Sequence, residues 1–162
     1  MNDSLFRSID NRFGLDLPGS VLAAMALECA RHPSVETGGI LAGRYDKELR
    51  LAKVSLATAP PPDSGVGRAW FRRGTAGLKR LLDQLWKIGD YYLGEWHYHP
   101  GASPQPSAQD LDQLRIISSD PRYACPEPVM VILGGQPPNH SLAAMVWDGI
   151  GVVRLHSSSD SN

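Results

Sequence analysis

Several things that would mark a specialised class of protein are scarce in this chain. Among 162 residues there are only 2 cysteines, Cys29 and Cys125. They form no CxxC pair and no dense framework, which argues against a disulfide-stapled scaffold and for a reducing compartment. Neither sign of charge is in excess: 16 Lys and Arg stand against 17 Asp and Glu, a net charge of −1. That balance gives no broad attraction to nucleic acid or to an acidic membrane surface. No run of about 18 apolar residues occurs, so no membrane-spanning helix is expected. The opening segment MNDSLFRSIDNRFG lacks the apolar core of an export signal. The expectation is a cytoplasmic protein with no nucleic-acid and no membrane partner. Residues 1–156 are expected to form one domain, with a disordered tail, SSSDSN, at 157–162.

What is present is an ordinary globular composition, 42% hydrophobic and 20% charged, enough for one buried core. The pattern predicts a short strand near Leu5–Ile9, then a helix within LDLPGSVLAAMALECARHP, with Pro18 in its first turn and Pro33 at its end. ETGGILAGRY and ELRLAKVSLATA read as strands. The proline- and glycine-rich stretch 60–68 reads as a loop, and AWFRR as a short strand. A helical stripe covers 75–89, YYLGEWHYH is a strand stopped by Pro100, and a second helical segment runs from about Ser107 to Ser119. EPVMVILGG, SLAAMVWDG and IGVVRLH complete a run of strands. Helices alternating with strands, then a meander, predict a mixed α/β fold: one curved mixed β-sheet flanked by helices.

The segment GEWHYHPGASPQPSAQD carries the chemistry, because it holds two of the five histidines. Side chains alternate faces along a strand, so His97 and His99 point the same way and Tyr98 the other. Two imidazoles about 6–7 Å apart at their Cβ atoms can converge on one ion. Pro100 turns the chain, and the helix that follows carries Asp110, a candidate third ligand. Three protein ligands and one open position suit a catalytic metal rather than a structural one. Ser107 and Asp110 also fit an ordinary capping box, and that reading is compatible with the first. A hydrolytic metal centre needs a proton acceptor as well. Glu36, at the entry to a glycine-rich strand, is the first candidate. Glu95, on the same strand face as the two histidines, is its rival.

Together, Glu36 in ETGGILAG and the stretch HYHPGASPQPSAQD resemble the JAB/MPN, or JAMM, metalloprotease family. Its pattern is a glutamate, then H-x-H-P, then a serine and an aspartate with two residues between them, and all five positions match here. The resemblance implies Zn2+ held by His97, His99 and Asp110, with Glu36 as general base and Ser107 stabilising the oxyanion. It implies a fold similar to the cytidine deaminase arrangement. It implies hydrolysis of an isopeptide or peptide bond after the C-terminal tail of a ubiquitin-like protein. The short chain and GEWHYHP look most like stand-alone bacterial members, which include deconjugating peptidases of CBASS and related antiphage operons. Their conjugated proteins are cGAS-like nucleotidyltransferases or bacterial ubiquitin-like proteins, made with E1- and E2-like enzymes. Tyr98 departs from the serine or threonine commonest between the two histidines, and it is expected to face away from the metal. The loop at 60–68 lies where members carry a substrate-contacting insertion, and Arg68, Arg72 and Arg73 are candidates to meet acidic groups on the partner.

Rival functions are weaker. A nucleoside deaminase needs H-x-E and P-C-x-x-C, and neither occurs. A cysteine protease on Cys29 or Cys125 has no local signature. A non-catalytic MPN scaffold would have lost ligands that are all present here. Trimming of a ThiS- or MoaD-like sulfur carrier would use the same site on a linear bond.

Overall fold

The computed structural model describes residues 2–158. Ten strands and three helices follow one another in this order: β1 (Ser4–Arg7), β2 (Gly14–Leu17), α1 (Gly19–Arg31), β3 (Thr37–Tyr45), β4 (Leu51–Ala57), β5 (Gly65–Val66), β6 (Phe71–Arg72), α2 (Leu78–Trp86), β7 (Tyr91–Pro100), α3 (Ala108–Ser119), β8 (Val129–Gln136), β9 (Asn139–Trp147) and β10 (Val152–Ser157). The fold is mixed α/β with one large mixed sheet, as the pattern predicts. Of the expected tail, Ser157 closes β10, and 159–162 lie outside the described residues.

The sheet curves until its ends meet. Strands run in the order β1-β10-β9-β8-β7-β3-β4-β2, and β1 pairs with β2 to close a barrel. Closure depends on Gly14–Leu17, a segment that the spacing assigns to the approach of the first helix. Leu15 and Leu17 are buried while Asp16 between them is not, the alternation of a strand with one face on the core. Pro18, with extended backbone, ends this strand and caps α1. Among the described residues, β2–β4 and β7–β8 are the parallel pairs. The stretch 60–68 ends in β5, which pairs with β6 as a separate two-stranded ribbon.

One apolar cluster draws on all eight barrel strands and on α1, from Phe6 through Trp96 and Tyr98 to Leu155, which places it inside the barrel. A second, of Leu114 with Met130 and Ile132, joins α3 to the outer face of β8. A bulge sets which face of β7 looks outward. The β3–β7 register passes from Leu41↔Gly94 to Ala42↔Tyr92, so Leu93 is an extra residue. Leu93, Trp96 and Tyr98 then point inward, and Glu95, His97 and His99 outward under α3. Gly94 makes this possible: its φ is +153°, and a Cβ there would lie 1.8 Å from the Val129 carbonyl oxygen.

Both thiols are buried, and that burial pushes each up to about 12. At pH 8 the native protein is expected to leave a disulfide-exchange dye unreacted, and to release two equivalents of chromophore once unfolded. Rapid labelling of the folded chain would contradict this.

Candidate metal centre

The strand β7 presents His97 and His99 on one face, both buried. Across the ladder His97 pairs with Gly38 of β3. A Cβ at Gly38 would meet the Trp96 carbonyl oxygen at 2.2 Å, and the His97 ring and Phe71 ring at 3.0 Å each. The glycine therefore leaves room for the imidazole, which stands edge-on to Phe71 with centroids 5.3 Å apart. Beyond Pro100 the chain turns and α3 begins. Ser107 caps it as the sequence predicts: its hydroxyl accepts from the Asp110 N–H, while its own N–H donates to Asp110 Oδ2 at 2.7 Å.

That box aims Asp110 at the histidines. Asp110 Oδ1 lies 2.6 Å from His97 Nδ1, and Oδ2 lies 3.4 Å from His99 Nε2. One ligand atom from each of these three buried residues falls within 4.8 Å of the others, the reach of a single cation. Burial raises the Asp110 carboxyl, but the hydrogen bond with His97 and the nearness of His99 outweigh it and keep the group well below the ordinary carboxylate range. His99 Nε2 is buried, and despite its nearness to Asp110 it has no hydrogen-bond partner. Two imidazoles, one carboxylate and a buried ring nitrogen left without a partner fit a divalent metal of the zinc, iron or manganese kind.

Glu36 precedes β3, partly exposed, and its N–H donates to the Gly67 carbonyl at 2.8 Å. Burial raises its carboxyl; the charge of His99 pulls it down and that of Asp110 pushes it up, so it sits within the field of the cluster. Glu95, the rival base, is fully buried. Its Oε1 accepts from Arg73 Nε at 2.6 Å and from the Tyr92 hydroxyl at 3.0 Å, and its Oε2 accepts from Gln113. Arg73 is a correction to the expected partner-facing trio. Its side chain is 3% exposed, and it also donates to the Gly74 carbonyl and the Tyr123 hydroxyl, so its guanidinium is turned to the interior network rather than outward. Arg68 and Arg72 are exposed, on and beside the β5–β6 ribbon. Sequence reasoning missed Gln113, although its place one turn after Asp110 on the same helix face was a usable signal. It also missed Gln109, which donates to the Phe71 carbonyl and ties the ribbon to α3.

Ser107 Oγ donates to Asp110 Oδ2 at 2.8 Å in this structure, so its hydroxyl proton faces the ligand. Ser107→Ala is expected to destabilise the protein by about 1 kcal/mol through the lost cap. A melting temperature lower by roughly 2–4 °C checks it, and metal content is expected to stay intact. An unchanged melting temperature would remove the capping argument.

Comparison with known proteins adds four findings. The family model described as prokaryotic homologs of the JAB domain matches residues 18–147. The chain is 43% identical over 147 residues to a protein of Enterobacter hormaechei named CD-NTase/cGAS isopeptidase, covering 90% of this chain and 82% of that one. It is 32% identical over 127 residues to a probable metalloprotease of Sinorhizobium fredii, covering 76% and 77%. Among solved structures, a protein of Desulfitobacterium hafniense known from solution superposes with a TM-score of 0.62 at 18% identity, over 84% of this chain and 86% of that one, which bears on the fold alone.

Proposed function

The chain belongs to the family of prokaryotic homologues of the JAB domain and is a metallopeptidase, and on that premise we propose a zinc-dependent isopeptidase that releases a conjugated protein from its targets. The buried cluster of His97, His99 and Asp110, with Glu36 at its rim, carries this reading. The proposed substrate is a conjugate of a cGAS-like nucleotidyltransferase, which the name of the Enterobacter relative includes, or alternatively of a ubiquitin-like protein. E1- and E2-like enzymes would make that conjugate, and the setting would be antiphage defence in the cytoplasm. Among the described residues no helix is long and apolar enough to cross a membrane.

Bound zinc would polarise the scissile carbonyl and acidify a water. The remaining work falls to this chain. Glu36 takes the proton of the attacking water and returns it to the leaving amine. Ser107 donates to the oxyanion after its hydroxyl rotates away from Asp110 Oδ2. That rotation does not strand the carboxylate, because the Ser107 N–H still donates to the same oxygen. The extended tail of the substrate lies along the β5–β6 ribbon, which the Glu36–Gly67 hydrogen bond fastens beside the site. Arg68 and Arg72 there meet acidic groups of the partner.

The test is to express Glu36→Gln beside wild type in the native host and to search by mass spectrometry for lysines carrying a C-terminal peptide remnant. Branched conjugates that accumulate only with the variant are expected. Their absence from both strains would turn the reading to a trimmer of linear tails, such as a sulfur carrier, or to a scaffold that kept its ligands.

A further inference from the structure

Behind His97, on the side away from Asp110, the fold maintains a polar network that the reaction above does not use. Glu95 is 0% exposed, two residues before His97 on the same strand face. A buried carboxylate is costly unless paired and hydrogen-bonded. Here Arg73 pairs with it, and Tyr92 and Gln113 donate to it. Arg73 in turn is held by Gly74 and Tyr123. Five residues from β7, α3 and the neighbouring loops thus converge to keep one carboxylate in one orientation.

That orientation points at the imidazole. Glu95 Oε2 lies 3.7 Å from His97 Nε2, and His97 Nε2 is buried with no hydrogen-bond partner. The opposite ring nitrogen, Nδ1, faces Asp110. A ring turned over by half a turn would put carbon atoms at both places and lose both contacts. A neutral histidine that offers Nδ1 to a cation must carry its proton on Nε2, and that proton needs a buried acceptor.

We propose that Glu95 is the positioning residue of the metal centre: it accepts a hydrogen bond from His97 Nε2 and so fixes the ring with Nδ1 turned toward His99 and Asp110. Arg73, Tyr92 and Gln113 hold the carboxylate for this purpose. The proposal rests on the metal-centre reading above, not on the identity of the substrate.

Zinc ion alone is the probe. Metal-stripped wild type, Glu95→Gln and the paired variant Arg73→Met with Glu95→Leu are titrated against a chromogenic chelator. The paired variant replaces the ion pair by apolar groups, so it retains a folded chain where Glu95→Gln leaves Arg73 without its partner. Both variants are expected to melt cooperatively yet bind zinc about 10–100-fold more weakly than wild type. A long-range proton–nitrogen spectrum of the zinc-loaded wild type is expected to place the His97 proton on Nε2, a signature that a merely structural role would not require. Wild-type affinity in the folded paired variant, or a His97 proton on Nδ1, would overturn the proposal. Wild type that takes up no zinc would fail the metal-centre reading itself and this proposal with it.

Discussion

His97→Ala and Asp110→Ala are each expected to purify with almost no bound metal, where wild type carries about one ion per chain. The two substitutions remove different things. Without His97 the cluster keeps one imidazole and one carboxylate, too few donors for a buried site competing with water. Without Asp110 it keeps two imidazoles and loses its only negative charge, and the capping box of α3 goes with it. Asp110→Ala therefore carries a second cost, on the order of 1 kcal/mol of stability from the cap. In the metal-free protein the loss is larger still, because His97 and His99 lose the carboxylate that faces them both. Elemental analysis together with metal-free melting curves separates these effects. Stoichiometric metal in both variants would mean that the ion sits elsewhere.

Glu36→Gln is expected to leave metal content unchanged and to lower turnover of an isopeptide-linked fluorogenic substrate by ~10²-fold or more. A hundredfold loss corresponds to about 2.7 kcal/mol of barrier. The side chain touches none of the three ligand residues by hydrogen bond, and its backbone N–H is anchored to Gly67, so the amide occupies the same place with the same shape. What changes is the capacity to accept a proton. Because the loss falls on the chemical step, it belongs in kcat, with KM little altered. Full activity in Glu36→Gln would return the role of base to another group, and both oxygens of Glu95 are already engaged.

The site was legible because its parts are local. His97, His99, Ser107 and Asp110 lie within fourteen residues, and strand alternation and helix capping, two short-range rules, dictate their relative placement. Glu36 is distant in sequence and came from the pattern as a whole. The loops and edges were harder. β2 was hidden because four residues before a proline carry little periodicity, and only pairing with β1 and β4 makes them a strand. Arg73 was misread because an arginine beside two exposed arginines gives no sign of being buried. Its burial depends on Glu95, twenty-two residues away, and on Tyr123 beyond α3. The bulge at Leu93 was equally silent, although without it the histidines would face the barrel interior.

The closed sheet has one thin seam. Among the described residues two pairs are in register between β1 and β10, Phe6 with Ser157 and Arg7 with His156, against eight between β8 and β9. A cylinder joined so lightly unzips there first, where its first and last strands meet. The strand that carries the two histidines, β7, lies half-way round the circumference, with β8 and β9 on one side and β3 and β4 on the other. Opening of that seam therefore spares the strand of the metal centre. Amide hydrogens of β1 should exchange with solvent long before those of β7, and a chain trimmed by a protease at its N-terminus should lose its closure before it loses its metal.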